Sequence, residues 1–314
     1  MIDSESKPLP VRRQPSAWNA AFVILLVTVL GFGFVAQIIG GAVGWLIYGG
    51  EFPEYAMALA NPVGNERMRL PLMVAQAIST ILGLAIIPPL FWWGMRRKSI
   101  LTFFTERRVT PAHFLYTLGI VFFFLIVISV VIEWNSNLEY PGTFGVWARE
   151  IEDKAMELAK FMTADTSLPA YLGAVLVIAI FAGIGEEIAF RGCLQTELQK
   201  AFGNPHAAIW TAAIFFSAFH LQFYGFFPRL LLGALFGYLY YWSGNLAIPI
   251  FAHFANNLFA VSGLYFGLEK ADEQVVAPWY AVLISLVLGL VLLYRFRELQ
   301  PKSVISSPPN DQPA

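Results

Sequence analysis

The chain alternates long apolar runs with short polar interruptions, and the runs have the length of helices rather than strands. From Trp18 to Tyr48 there is no Asp, Glu, Lys or Arg. A helix needs about 20 apolar residues to cross the hydrocarbon core of a bilayer, whereas the apolar part of a secretion signal is only about 7 to 15. The first run therefore reads as a retained transmembrane helix, with Gly40–Gly41 a place for a kink. The same measure gives eight candidate spans, near 20–47, 70–95, 112–132, 169–190, 206–223, 229–243, 246–266 and 277–295. Pro88–Pro89 should bend the second span or end it early, because proline cannot donate the backbone hydrogen bond. Spans after Glu186 are shorter and more broken by Gly and Pro. Between the third and fourth spans, "FGVWAREIEDKAMELAKFM" predicts a short amphipathic helix, resting on the outer surface as a solvated connector. The polar ends, 1–17 and 298–314, read as disordered tails flanking one transmembrane helical domain over 18–297.

Composition agrees. Of the 314 residues 57% are hydrophobic and 13% charged, against about 25% charged in a soluble domain; the mean hydropathy is +0.62. The expected fold class is an all-α, polytopic integral membrane protein, with its site between helices of the C-terminal half. A formal net charge of −1 gives no reason to propose nucleic acid as a partner; the partner implied is the lipid bilayer. Basic residues cluster before the first span (Lys7, Arg12, Arg13), after the second (Arg96, Arg97, Lys98, Arg107, Arg108) and after the last (Arg295, Arg297, Lys302), while loop 133–165 is acidic. Positive charge marks the cytoplasmic side, so both termini are expected in the cytoplasm, in a multi-pass protein of the cell's inner membrane. The single cysteine, Cys193, excludes an internal disulfide and reads as a packing residue.

Charge inside the spans is the next question. "GIGEEIAFRG", 183–192, places two carboxylates and an arginine at the end of an apolar run. An ionised side chain at the centre of a spanning helix costs about 2.5–3.5 kcal/mol even on the lenient insertion scale. Glu187 and Arg191 are four apart and share a helix face, the spacing of a favourable ion pair. Glu186 is rotated by about 100° from Glu187 and is left without that arginine. Two more constellations follow: "FFSAFHLQF" with His220, and "IFAHFANNL" with His253 and Asn257 four apart. Buried polar groups need partners, and these residues are the cheapest partners for one another. His113 and His206 stand near span ends and read as interfacial.

"EEIAFR" matches Glu-Glu-x-x-x-Arg, "FSAFH" matches Phe-x-x-x-His and "HFANN" matches His-x-x-x-Asn. In that order, on successive spans, they resemble the CAAX prenyl protease and bacteriocin-processing (CPBP, ABI-type) family of intramembrane proteases. The resemblance covers roughly residues 170 to 265; the first half of the chain matches only in being hydrophobic. It implies hydrolysis of a peptide bond by activated water, in a membrane-associated peptide or protein that is prenylated in some members. A carboxylate in an apolar cavity suits a general base, the role expected of Glu186. His220 would hold and polarise the water, His253 and Asn257 would stabilise the oxyanion, and Glu187 and Arg191 would support the site. The family has been described both as metallopeptidases and as glutamate-dependent enzymes. Glu186, His220 and His253 could serve as three zinc ligands, but there is no His-Glu-x-x-His motif, and the reading preferred from sequence is one without cofactor. The rivals are a proton- or ion-coupled transporter using the same residues as a relay, and a catalytically silent binding or immunity protein. On a depth count at 1.5 Å per residue, Glu186 and His253 fall in the cytoplasmic half beside a cavity opening to that side, and His220 falls deeper.

Overall fold

The structure, a computed structural model, describes residues 14–267 and 277–299. Most of both expected tails, with Lys7, Arg12, Arg13 and Lys302, lies outside the described residues. In chain order the helices are α1 (Ala17–Tyr48), α2 (Phe52–Ala60), α3 (Glu66–Arg96), α4 (Thr102–Thr105), α5 (Pro111–Ser136), α6 (Gly142–Thr163), α7 (Leu168–Phe202), α8 (Pro205–Phe219), α9 (Phe226–Ser243), α10 (Ala247–Tyr265) and α11 (Trp279–Glu298). No strand occurs among the described residues. The protein is an all-α, multi-pass membrane protein. Among the described residues six helices are long and apolar enough to cross a membrane, namely α1, α3, α5, α7, α10 and α11. The fifth and sixth expected spans are α8 and α9, of 15 and 18 residues. At 1.5 Å per residue α8 is about 22 Å long, short of the roughly 30 Å hydrocarbon core.

Local chemistry sets those bounds. Asn204 caps α8 by accepting from the backbone N–H groups of His206 and Ala207, and Pro205 occupies the first turn, where its missing N–H costs nothing. The helix ends at Phe219, and Leu221, at φ 55°, turns the chain away. The expected fifth span, 206–223, was thus too long: it read the turn His220–Gln222 as helix because those residues sit in an apolar sequence. Pro88–Pro89 does not end α3. The prolines enter the first turn of the segment Ile87–Arg96, directly after a wide, π-type turn at Ile81–Ile86, so their missing donors fall where the hydrogen-bond pattern is already interrupted.

A second wide turn, Gly31–Ala36, faces that one from α1. Gly83 packs on it so closely that a Cβ there would lie 2.5 Å from the Cα of Phe32. In lipid, where apolar surface alone does not drive helices together, such small-residue contacts hold them. Gly83→Ala is expected to lower the thermal midpoint, at a cost of about 1–3 kcal/mol for overpacking. Gly33→Ala, which would meet nothing within 4 Å, is the control, and equal melting of the two variants would contradict this account.

The fold pairs α1 with α3, α5 with α11, and α8 with α9, while α7 runs through the middle against α1, α3, α8, α9 and α10. The main core lies along α7, where Phe190, Cys193 and Leu194 pack with Trp92, Phe103, Phe216 and Leu246. Cys193 is buried there, a packing residue as expected. His206 is exposed and shares a hydrogen bond with the Tyr238 hydroxyl. His113 was expected to be interfacial. It is buried against the protein, edge-on to Phe296, and closes the capping box of α5 with Thr110. The amphipathic helix α6 is present, but it is no solvated connector: Gly145, Ala148 and Phe161 are buried, and Arg149 stacks on Tyr224, its guanidinium carbon 3.4 Å from the ring centroid.

Candidate active site

Glycines let α7 reach its neighbours at the level of Glu186. A Cβ on Gly185 would lie 3.1–3.2 Å from Thr80 and Leu84 of α3, and one on Gly183 would lie 3.3–3.4 Å from the backbone of Ile250 and Phe254 in α10. With the backbones this close, side chains from α7, the end of α8 and α10 converge. Glu186 Oε2 lies 3.9 Å from His220 Nε2 and 3.8 Å from His253 Nε2. These are too long for direct hydrogen bonds, and Glu186 Oε2 is buried without a hydrogen-bond partner among the described residues.

The outward-facing atoms of the two imidazoles are committed. His220 Nδ1 is 2.9 Å from the Phe216 carbonyl; a carbonyl only accepts, so Nδ1 carries the proton and donates. His253 Nδ1 is 2.8 Å from Glu187 Oε1, which also accepts from Arg191 Nη1 at 2.7 Å, so His253 donates there as well. In neutral rings both Nε2 lone pairs then point inward. Three acceptors, Glu186 Oε2 and two imidazole nitrogens, face one another.

The supporting pair is as the spacing predicted, and it reaches further. Arg191 is 1% exposed and Glu187 fully buried. Arg191 also donates to the Gly233 carbonyl of α9 at 3.0 Å and its guanidinium carbon lies 4.4 Å from the Phe216 ring centroid. Glu187 therefore links α7 to α10 through His253, and Arg191 links α7 to α9. The sequence showed the intrahelical pair but not the bond to His253, since nothing local tells which helix comes to face Glu187.

Asn257 has other partners. Its amide Nδ2 donates to the Ile178 carbonyl at 2.9 Å, in the wide turn Val175–Phe181 of α7, and its Oδ1 accepts from Asn256 at 3.0 Å. It makes no hydrogen bond to Glu186 or His253. One of its two amide N–H donors remains uncommitted.

The start of α10 lies inside the protein. Ser243, Asn245 and Leu246 are buried; the Leu246 N–H donates to the Phe103 carbonyl, and the Asn245 amide donates to the carbonyls of Phe104 and Arg107. His253 lies one and a half turns into α10 and shares Glu186 with His220 at the end of the short α8.

Zinc would need closer ligands. At metal–ligand bonds of about 2.0–2.1 Å, neighbours on a tetrahedral zinc are about 3.3 Å apart, against the 3.8 and 3.9 Å found. Among the described residues no group of three or more His, Cys, Asp or Glu is placed to hold a metal ion.

Three residues beside the site were not singled out from the sequence. Arg229, near the start of α9, donates through Nη2 to the Gln222 carbonyl at 2.7 Å. Its Nε is buried without a partner, and no carboxylate among the described residues lies within 4.0 Å of it. Gln222 in turn donates to Glu152 Oε1 of α6 at 3.4 Å. Burial pushes the Glu152 carboxyl up, with Arg229 the foremost opposing charge. "FFPRLLLGALF" held the clue, a lone arginine in an apolar run, which is the same anomaly that drew attention to Glu186.

Residues 168–259 match the family model described as type II CAAX prenyl endopeptidase, Rce1-like. That stretch holds all three motifs and Arg229. A curated relative, the uncharacterized protein YpbD of Bacillus subtilis (strain 168), is 32% identical over 108 residues, covering 32% of this chain and 52% of the relative. The chain thus spans about half the length of the curated relative it matches. No solved structure matches. Over residues 168–259, the segment that brings Glu186, His220 and His253 together, the chain is similar to the Rce1-like family of type II CAAX prenyl endopeptidases.

Proposed function

We propose that this protein is an intramembrane endopeptidase that cuts a membrane-associated peptide or protein, of CAAX type or otherwise, with a water activated by Glu186. The observation that carries this reading is the convergence of Glu186 Oε2 with the Nε2 atoms of His220 and His253 at 3.8–3.9 Å. That spacing suits one water whose two O–H groups donate to Glu186 and to the Nε2 of one imidazole, acceptors that otherwise repel.

Glu186 removes a proton from this water as its oxygen attacks the scissile carbonyl carbon. His220, its tautomer set by the Phe216 carbonyl, holds the water and directs its lone pair. The carbonyl oxygen becomes an oxyanion, and donors aimed at it stabilise the transition state. Asn257 offers its second amide N–H. His253 donates from Nε2 when its ring carries two protons. The proton held by Glu186 then passes to the leaving amine, the C–N bond breaks, and the carboxyl group of one product carries the water oxygen. Arg191 and Glu187 keep His253 and the helix bearing Glu186 in register.

The reading requires no metal. Purified protein in lipid bilayers should cleave a lipid-anchored reporter peptide, and a strong chelator should leave the rate within about twofold. Metal analysis should find no stoichiometric zinc. Loss of activity on chelation, restored by zinc, would transfer the role of Glu186, His220 and His253 from a bridging water to a metal. Failure to cleave any reporter would favour the silent-binder alternative.

A further inference from the structure

The turn that ends α8 is strained. Leu221, directly after His220, has φ 55°, in the left-handed region that a residue with a Cβ enters only at a cost. Backbone of this kind persists where its surroundings hold it, and it gathers at functional sites. Asn135 holds the α9 side of the turn, donating to the Phe223 carbonyl at 3.0 Å and accepting from the Phe227 N–H at 2.9 Å. On the α8 side the Gln222 carbonyl accepts from Arg229 Nη2 at 2.7 Å. Gly225 makes room for that guanidinium, since a Cβ there would fall 2.5–2.7 Å from it. Arg229 Nε is buried without a partner, a costly state that an apolar helix keeps only for a function.

What the turn decides is the state of His220. In a continuing α-helix the His220 N–H would bond to the Phe216 carbonyl, four residues back. Here it goes to the Ser217 carbonyl at 3.3 Å, and the ring takes the Phe216 carbonyl through Nδ1 at 2.9 Å. That bond puts the proton on Nδ1 and leaves the Nε2 lone pair toward Glu186 Oε2, 3.9 Å away. If Leu221 relaxed to a right-handed conformation, the helix would run on. Its backbone would reclaim the Phe216 carbonyl, and the ring would lose the contact that fixes its tautomer.

Resting on the reading of Glu186 as the water-activating base, we propose that Arg229 is a positioning residue for His220. Its bond to the Gln222 carbonyl keeps Leu221 left-handed, and so keeps His220 Nε2 unprotonated and turned toward Glu186. In this role it contacts neither water nor substrate.

The test uses protein in nanodiscs and removes Arg229 in two backgrounds. Solid-state nitrogen NMR of histidine-labelled protein reads the tautomer of His220, whose signals are identified by their loss in His220→Gln. Wild type should show the Nδ1–H form, and Arg229→Gln a mixture of both forms. In the cleavage assay Arg229→Gln should lower kcat about 5–30-fold, the factor that matches the cost of one left-handed residue, with KM within about twofold. Glycine enters the left-handed region freely. In the Leu221→Gly background, Arg229→Gln should therefore leave the tautomer as it was and change kcat by less than about twofold. Arg229→Lys, which keeps the charge and a donor, should fall between, and it replaces Arg229→Gln if that variant does not fold. An unchanged tautomer on loss of Arg229 overturns the assignment. So do equal losses in the two backgrounds, which would mean that the guanidinium acts other than through the turn. The tautomer is read without turnover, so a wild-type protein that cleaves no reporter removes the peptidase reading while the spectrum still decides the role of Arg229.

Discussion

Glu186→Gln is expected to reduce peptide cleavage by about 10²–10⁴-fold, the usual contribution of a positioned general base, while leaving the fold intact. Glutamine has the shape of glutamate but cannot take the water's proton. Its amide nitrogen would face His220 Nε2 and His253 Nε2, now 3.8–3.9 Å from Glu186 Oε2, and could donate to one of them. The variant should therefore melt at or above the wild-type temperature. Rate and melting measured on the same preparation separate the two effects. Cleavage within about threefold of wild type, a small fraction of that factor, would remove Glu186 as the base. A variant that loses activity only because it unfolds would make the residue structural.

Arg191→Met should be the most destabilising single change near the site. It removes the partner of a buried carboxylate: Glu187, fully buried, would keep only His253 Nδ1. Breaking a buried ion pair from one side costs about 3–5 kcal/mol, a large part of the roughly 5–15 kcal/mol that holds a domain folded. The Gly233 carbonyl would lose its donor as well. The expected result is a sharp fall in folded yield and thermal midpoint in detergent. Glu187→Gln combined with Arg191→Met should recover much of the stability, since both charges go together, but not the activity, since His253 would no longer face a carboxylate. A single variant as stable as wild type would show that Glu187 is not held charged by Arg191.

Much of the site was legible because its signals are local. Glu187 and Arg191 are four apart on one helix, and their bond follows from helix geometry alone. Glu186 was marked as free by the same rotation, and His220 and His253 by standing in apolar runs. What was not legible shares one cause, a partner on another helix. Asn257 shares a face with His253, and the structure adds a hydrogen bond from its amide to the Ile178 carbonyl of α7. That α10 starts within the protein, held there by Phe103, Phe104 and Arg107, was not visible in the sequence either. Arg229 was passed over although it broke an apolar run as plainly as Glu186 does; its meaning rests on α6 and the turn before α9.

By itself the sequence determined the solvent and the secondary structure. Long runs without charge can be stable only in lipid, and in lipid a backbone must satisfy its own hydrogen bonds, so the runs are helices. It also determined which residues are too polar for their surroundings. Only the tertiary structure decided what those residues face, because contacts between helices depend on where each one starts, how its wide turns shift its register, and where glycine lets two backbones touch. The inward lone pairs of His220 and His253 are the clearest case. They follow from a carbonyl one helical turn away and from a carboxylate sixty-six positions earlier in the chain.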